Sequence, residues 1–196
     1  MKTSITSVLT RRHVTGSALA AVAAVGAWTW QRGASHGVGG PFALSDGRGN
    51  TIRDTDFRGR ILIVYFGYAS CPDVCPTALA KLAGVIDRLG LAQDREPAVL
   101  FISVDPQRDQ GARLAEYGKA FRANVTAVTG TRAELDAVAA AYGARYEFAG
   151  DTSRDDYAVD HTSIFYVMGP DGTFRTQFPH TASPDAMLSK LQAAMK

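Results

Sequence analysis

The stretch Ile61-Leu62-Ile63-Val64-Tyr65-Phe66-Gly67-Tyr68 constrains the fold more than any other part of this chain. It is apolar, β-branched and aromatic, with no polar residue at alternate positions. A strand with one wet face alternates; one that does not reads as a central strand buried on both faces. Such a strand needs helices above and below it, and the following sequence supplies them. Thr77 to Leu89 carries Leu79, Leu82, Ile86 and Leu89 on one helical face, with Gly90 as its stop. Ala98 to Val104 is a second buried strand. Gly111 to Phe121 and Ala133 to Tyr142 read as helices, the latter opening after Thr131 and stopping at Gly143. Thr162 to Met168 is a third strand, Gly169-Pro170-Asp171-Gly172 a turn, and Thr173 to Phe178 the returning strand. Pro184 opens a C-terminal helix that docks through Met187, Leu188 and Leu191. Ahead of all this, Phe42 to Asp54 alternates around Asp46-Gly47-Arg48-Gly49 and reads as a small hairpin. The fold class expected is α/β, a mixed central sheet flanked by helices with an N-terminal β-hairpin extension.

The first 32 residues are of another kind. Arg11 and Arg12 precede Val14 to Gln31, 18 residues without formal charge and rich in Ala and Val. A basic region followed by an apolar run is an export or insertion signal, and its length is near the ~18–20 residues that span a bilayer. Residues 1–32 are therefore expected to be a signal or membrane anchor, cleaved or retained. Basic residues ahead of the run would leave the remainder on the exported side of the cytoplasmic membrane, the periplasmic face. Thr10-Arg11-Arg12-His13-Val14 also resembles a twin-arginine signal. Residues 33–41, Gly-rich, read as a flexible tether, and 42–196 as the folded domain. The chain has 21 basic and 19 acidic residues. All the acids follow Arg32, so the part beyond it is slightly acidic, which is no footprint for nucleic acid.

Cys71 and Cys75 follow the first central strand at its carboxyl end, where open α/β sheets bind ligands. Two cysteines in an exported chain suggest a structural disulfide, but a bridge here would close a loop of only about five residues and remove little unfolded-state entropy. Placed at i and i+4 on a helix, the two thiols share one face and can converge on one ion. A helix N-terminus lowers thiol pKa and favours the thiolate needed for ligation or exchange. Pro72 and Pro76 suit the first turn, while Asp73 faces either the helix end or solvent. Soft thiolates select Cu(I), zinc or iron–sulfur chemistry, and two of them with few further donors favour copper. Of the four histidines, His13 lies in the targeting segment, His36 in the tether and His180 in a turn. His161, in the loop before the third strand, is the remaining candidate, with Asp160 as a possible orienting partner.

Three segments together carry a family resemblance. Phe66-Gly67-Tyr68-Ala69-Ser70-Cys71-Pro72-Asp73-Val74-Cys75-Pro76-Thr77 resembles the signature of the Sco/SenC copper proteins. Ile102-Ser103-Val104-Asp105-Pro106-Gln107-Arg108-Asp109 resembles the family's second segment, and Val159-Asp160-His161-Thr162 through Pro170-Asp171-Gly172 its third. The resemblance implies a thioredoxin-like fold and a copper ion, Cu(I) or Cu(II), held by Cys71, Cys75 and His161. It implies a role in assembling the copper A centre in subunit II of cytochrome c oxidase, as copper donor, thiol reductant or both. Other periplasmic copper chaperones or thiol reductants would then be partners. Cys71 and Cys75 would form a redox-active pair, with thiol-disulfide oxidoreductase as the alternative activity. Asp105 and Arg108 are expected to be structural, since an Asp-Pro step ends a strand and caps a turn.

Overall fold

A computed structural model describes residues 37–121 and 125–196. The expected targeting segment at 1–32, with His13, and the first part of the tether, with His36, lie outside these residues. Among the described residues no helix is long and apolar enough to cross a membrane.

The run Ile61 to Tyr68 forms β3 (Leu62–Gly67), every residue of it buried. It follows a small antiparallel hairpin of β1 (Ala43–Ser45) and β2 (Thr51–Arg53), as the alternation predicts. After β3 come α1 (Val74–Asp87), β4 (Ala98–Ser103), α2 (Gly111–Lys119), β5 (Val125–Val128) and α3 (Arg132–Tyr142). The chain closes with β6 (Tyr146–Ala149), β7 (Ala158–His161), β8 (Ile164–Met168), β9 (Phe174–Pro179) and α4 (Pro184–Ala194). The five-stranded sheet has the order β5-β4-β3-β8-β9. β4 runs parallel to β3 and to β5, and β8 antiparallel to β3 and to β9, so the sheet is mixed as expected. β3 lies at its centre, every residue buried and both edges paired, with β4 on one side and β8 on the other.

Tyr65, Phe101 and Phe165 are in register across β4, β3 and β8 and share one face. Tyr65 stacks on Phe165 at 4.5 Å between centroids, Phe178 meets Phe165 at 5.5 Å, and Tyr117 of α2 covers Phe101 at 4.9 Å. The opposite face carries Phe66 and Tyr166, both edge-on to Tyr142 of α3. Local signals set the helix ends. Thr131 and Glu134 form a reciprocal capping box on α3, which ends at Gly143 with φ +65°. Ser183 caps α4, with Pro184 in its first turn.

Four expectations need correction. Helix α1 begins at Val74, three residues before Thr77, so Pro76 lies in its first turn while Pro72 precedes it. β5, β6 and β7 were not anticipated; they are four residues each, too short for periodicity to separate from loops. His161 is the last residue of β7, paired with Tyr146, rather than a loop residue. Packing also begins before Phe42: the Gly39 N–H donates to the Ala141 carbonyl at 2.8 Å and Val38 lies against the core.

Phe165 anchors the aromatic floor and is fully buried. Phe165→Ala is expected to cost about 3–5 kcal/mol, read as a lowered urea midpoint with an unchanged slope. A loss under about 1 kcal/mol would mean the floor is not a packed unit.

Candidate metal centre

Strand β3 ends at Gly67, and the chain then turns through Tyr68, Ala69 and Ser70 into the cysteine loop. The Cys71 N–H donates to the Tyr68 carbonyl at 3.2 Å. Cys71 therefore precedes the helix rather than standing on its face, and its sulfur occupies the place of a cap. The Cys75 backbone N–H donates to it at 3.5 Å, which spends one of the free amides at the helix start on sulfur. Asp73, the residue before Val74, is exposed and accepts a hydrogen bond from the Thr77 hydroxyl at 3.2 Å. Cys75, in the first turn, points inward and is fully buried.

That inward position depends on a glycine. A Cβ at Gly67 would lie 2.7 Å from the Cys75 sulfur and 2.9 Å from a ring carbon of Phe101. Real contacts do not come so close, so only glycine lets the thiol rest on the strand. His161 reaches the same point from β7: its Nε2 lies 3.3 Å from the Cys75 sulfur. The ring is held edge-on between Tyr65 and Tyr68, each 6.0 Å away between centroids. One ligand atom from each of Cys71, Cys75 and His161 lies within 4.8 Å of the others. A cavity of about 270 Å³ lined by Cys71, Asp73, Asp160 and His161, among others, opens this cluster to solvent.

The electrostatics are asymmetric. The Cys71 thiol is pushed down to about 4, first by its hydrogen bond with the Cys75 thiol, then by the backbone amides of Cys75 and Asp73. Cys75 is pushed up, by the neighbouring Cys71 sulfur first and by burial second. Burial holds His161 below the ordinary imidazole value, so the ring is neutral near pH 7 and keeps a lone pair for a metal. Four buried side-chain polar atoms among the described residues lack a hydrogen bond: the Tyr65 and Tyr117 hydroxyls, Arg108 Nη2 and His161 Nδ1. Tyr65 and His161 border the Cys75 sulfur, Tyr117 covers Phe101, and Arg108 holds the segment leading into β7. Buried polar atoms are normally satisfied, and clusters of exceptions mark places where a ligand completes the environment.

The donor set suits a soft ion. Bonds of about 2.3 Å to sulfur and about 2.0 Å to imidazole nitrogen put ligands of a three-coordinate ion roughly 3.5–4 Å apart. The observed separations span that value, so small movements close the site.

Asp160, expected as an orienting partner for His161, is exposed on β7 and gives the ring no hydrogen bond. Alternation along the strand sends its side chain to the other side. His180 lies in a turn, as expected, with its N–H donating to the Ser163 carbonyl at 3.0 Å. Sequence reasoning missed Gly67 as the sulfur's seat and Asp109 as a buried acceptor. A Gly ending a buried strand just before a cysteine motif was the available signal for the first.

Asp105 and Arg108 make the structural pairing expected of this segment. The fully buried Asp105 accepts from Arg108 Nε at 2.5 Å and from the Tyr157 hydroxyl at 2.7 Å.

A thioredoxin-like mixed sheet with two cysteines at the end of its central strand, and a histidine brought to them from a later strand, defines a class of thiol- and metal-handling domains. Within that class the chain belongs to the SCO1/SenC family, whose model matches residues 31–196. It is 42% identical over 142 residues to the human mitochondrial protein SCO1 homolog, across 72% of this chain and 47% of that protein. With Schizosaccharomyces pombe protein sco1 the identity is 33% over 150 residues, 76% of this chain and 57% of that one. The chain thus spans about half the length of these curated relatives. Among solved structures it is similar to Arabidopsis thaliana ScoI with copper bound, at TM-score 0.74 and 33% identity, covering 81% of this chain and 98% of that one. Yeast Sco1 matches at TM-score 0.72 and 32% identity, over 80% and 96%.

The site's asymmetry has a direct chemical readout. In the reduced, metal-free protein Cys71 should be alkylated much faster than Cys75. Its rate should stay nearly flat with pH through the neutral range, where an ordinary thiol of pKa about 8.5 gains about tenfold per unit. Peptide mapping showing Cys75 modified first would contradict this geometry. Gly67→Ala should cost about 1–3 kcal/mol by forcing the Cys75 sulfur off the strand, read by urea unfolding; a neutral substitution would show that the sulfur has room to spare.

Proposed function

We propose that this protein is a copper-binding metallochaperone that serves assembly of the copper A centre in subunit II of cytochrome c oxidase. The observation carrying this reading is the convergence of two cysteine sulfurs and one neutral imidazole within 4.8 Å, in a chain of the SCO1/SenC family. The copper is cargo, held through Cys71, Cys75 and His161. Thiolates and imidazole favour copper, and a three-donor set leaves the ion short of the four ligands zinc prefers. Cys75 and His161 anchor it from the buried side. Cys71, half-buried at the cavity mouth, is the ligand that an acceptor's sulfur or imidazole displaces first. Residues 1–32 would hold the domain on the periplasmic face of the cytoplasmic membrane, where subunit II exposes its copper site; other periplasmic copper chaperones would load it.

A second reading rests on the same asymmetry of the thiols. A low-pKa accessible cysteine followed by a buried one suits thiol-disulfide exchange. The Cys71 thiolate would attack a partner disulfide and form a mixed disulfide. Cys75 would then resolve it, its proton passing to the released thiolate. Two electrons go to the partner, and Cys71 and Cys75 end oxidised as a disulfide. Such a step would reduce the acceptor's cysteines before metal arrives, so the two activities are compatible on one site.

Titration of the reduced protein with Cu(I), in competition with a chromogenic chelator, should give one copper per chain. His161→Ala should weaken binding by more than the roughly 10- to 100-fold that losing a residue orienting a ligand costs. Unchanged affinity in that variant would remove His161 from the ligand set. Cys75→Ser should trap the mixed disulfide with an oxidised partner peptide; its failure to do so would leave only the copper role.

A further inference from the structure

Arg108 and Asp109 are adjacent in the loop between β4 and α2, yet each grips a different half of the metal centre. Asp109 is fully buried. Its carboxylate accepts the Ala69 N–H at 2.5 Å, the Ser103 hydroxyl at 2.6 Å and the Ser70 hydroxyl at 3.5 Å. Arg113 Nη2 donates to the same Ser70 hydroxyl at 2.8 Å. Ala69 and Ser70 are the residues that turn the chain from β3 into Cys71. Arg108 reaches the other way. Its Nη1 donates to the carbonyls of Asp155 at 2.9 Å and Tyr157 at 2.8 Å. Its guanidinium lies 3.5 Å from the Tyr157 ring centroid and 5.4 Å from that of Tyr68. Tyr157 leads directly into β7, whose last residue is His161. Asp105 locks this arm by accepting from both Arg108 and the Tyr157 hydroxyl.

The cysteines and the histidine come from segments far apart in sequence, and β7 is not hydrogen-bonded into the main sheet. Among the described residues its only strand partner is β6. Something other than sheet pairing must therefore set the distance between His161 and the sulfurs. We propose that Arg108 and Asp109 are positioning residues that do this: Asp109 fixes the cysteine loop, Arg108 fixes the approach to β7, and the single peptide between them ties the two halves at ligating separation. A buried carboxylate and a buried guanidinium are costly to desolvate, and a planar guanidinium is the group suited to bridge two carbonyls while covering a ring. Residues that orient metal ligands typically influence affinity by about 10- to 100-fold when lost. This inference rests on the copper-site reading for its consequence, though not for its geometry.

The test uses the full chain carrying Arg108→Lys, Asp109→Ala or Asp109→Asn, each compared with the parent at a temperature well below its melting point. In the metal-free proteins, NMR shift changes should be confined to one arm. Arg108→Lys should perturb Asp155 to His161, including the imidazole signals, and leave Ser70 to Cys75 in place. Asp109→Ala should do the reverse. Cu(I) affinity should fall about 10- to 100-fold in both, and Asp109→Asn, whose amide oxygen still accepts the Ala69 N–H, should recover most of the loss. Affinity unchanged in the folded variants, or shifts spread evenly over the core, would reduce both residues to general stabilisers and overturn the proposal. If the parent itself takes up no copper, the metallochaperone reading fails, while the metal-free shift map still decides whether the brace exists.

Discussion

Everything at this centre depends on one close approach, the Cys75 sulfur resting on the backbone of Gly67 with His161 Nε2 at 3.3 Å. The strand beneath has to be buried on both faces to sit at the middle of the sheet. It has to end in glycine for the thiol to fit, and the next element has to be a helix whose first turn points a side chain inward. Tyr65, Phe101 and Phe165 form a rigid floor below the sulfur. A floor of packed aromatic rings resists compression, so the position of the sulfur is set by the fold and not by the ion it would bind.

The same burial divides the labour between the two thiols. Cys75 is raised by the neighbouring Cys71 sulfur and by burial, while Cys71 sits at the open helix start and is lowered to about 4 by its neighbour's thiol and the backbone amides. A site built this way holds an ion on one firm side and one open side. That suits a protein whose task is to give metal away, since an entering ligand needs a leaving ligand it can reach. It equally suits a thiol that attacks before its buried neighbour resolves.

Much of this was legible in the residues. The unbroken apolar run marked the central strand, Thr131 and Gly143 marked the ends of a helix, and the spacing of Cys71 and Cys75 argued against a mere staple. The candidate third ligand was legible through family resemblance more than through spacing: nothing in the periodicity around His161 distinguishes it, because β7 is too short to declare itself. The start of α1 was misplaced since two prolines obscured it, although a proline in the first turn costs no helical hydrogen bond. Asp160 was a natural partner for the ring by adjacency, but neighbouring residues on a strand face opposite sides. The roles of Gly67 and Asp109 lie across the fold, where a Cβ on Gly67 would come within 2.7 Å of a sulfur and Asp109 meets an amide at 2.5 Å, which no local pattern records.

The central claim is that both sulfurs and one imidazole nitrogen meet on a single copper ion. X-ray absorption at the copper edge of the Cu(I)-loaded protein tests it most directly. The spectrum should be fitted by two sulfur neighbours and one nitrogen, with the nitrogen lost in His161→Ala. A shell of one sulfur, or of nitrogen and oxygen alone, would contradict it.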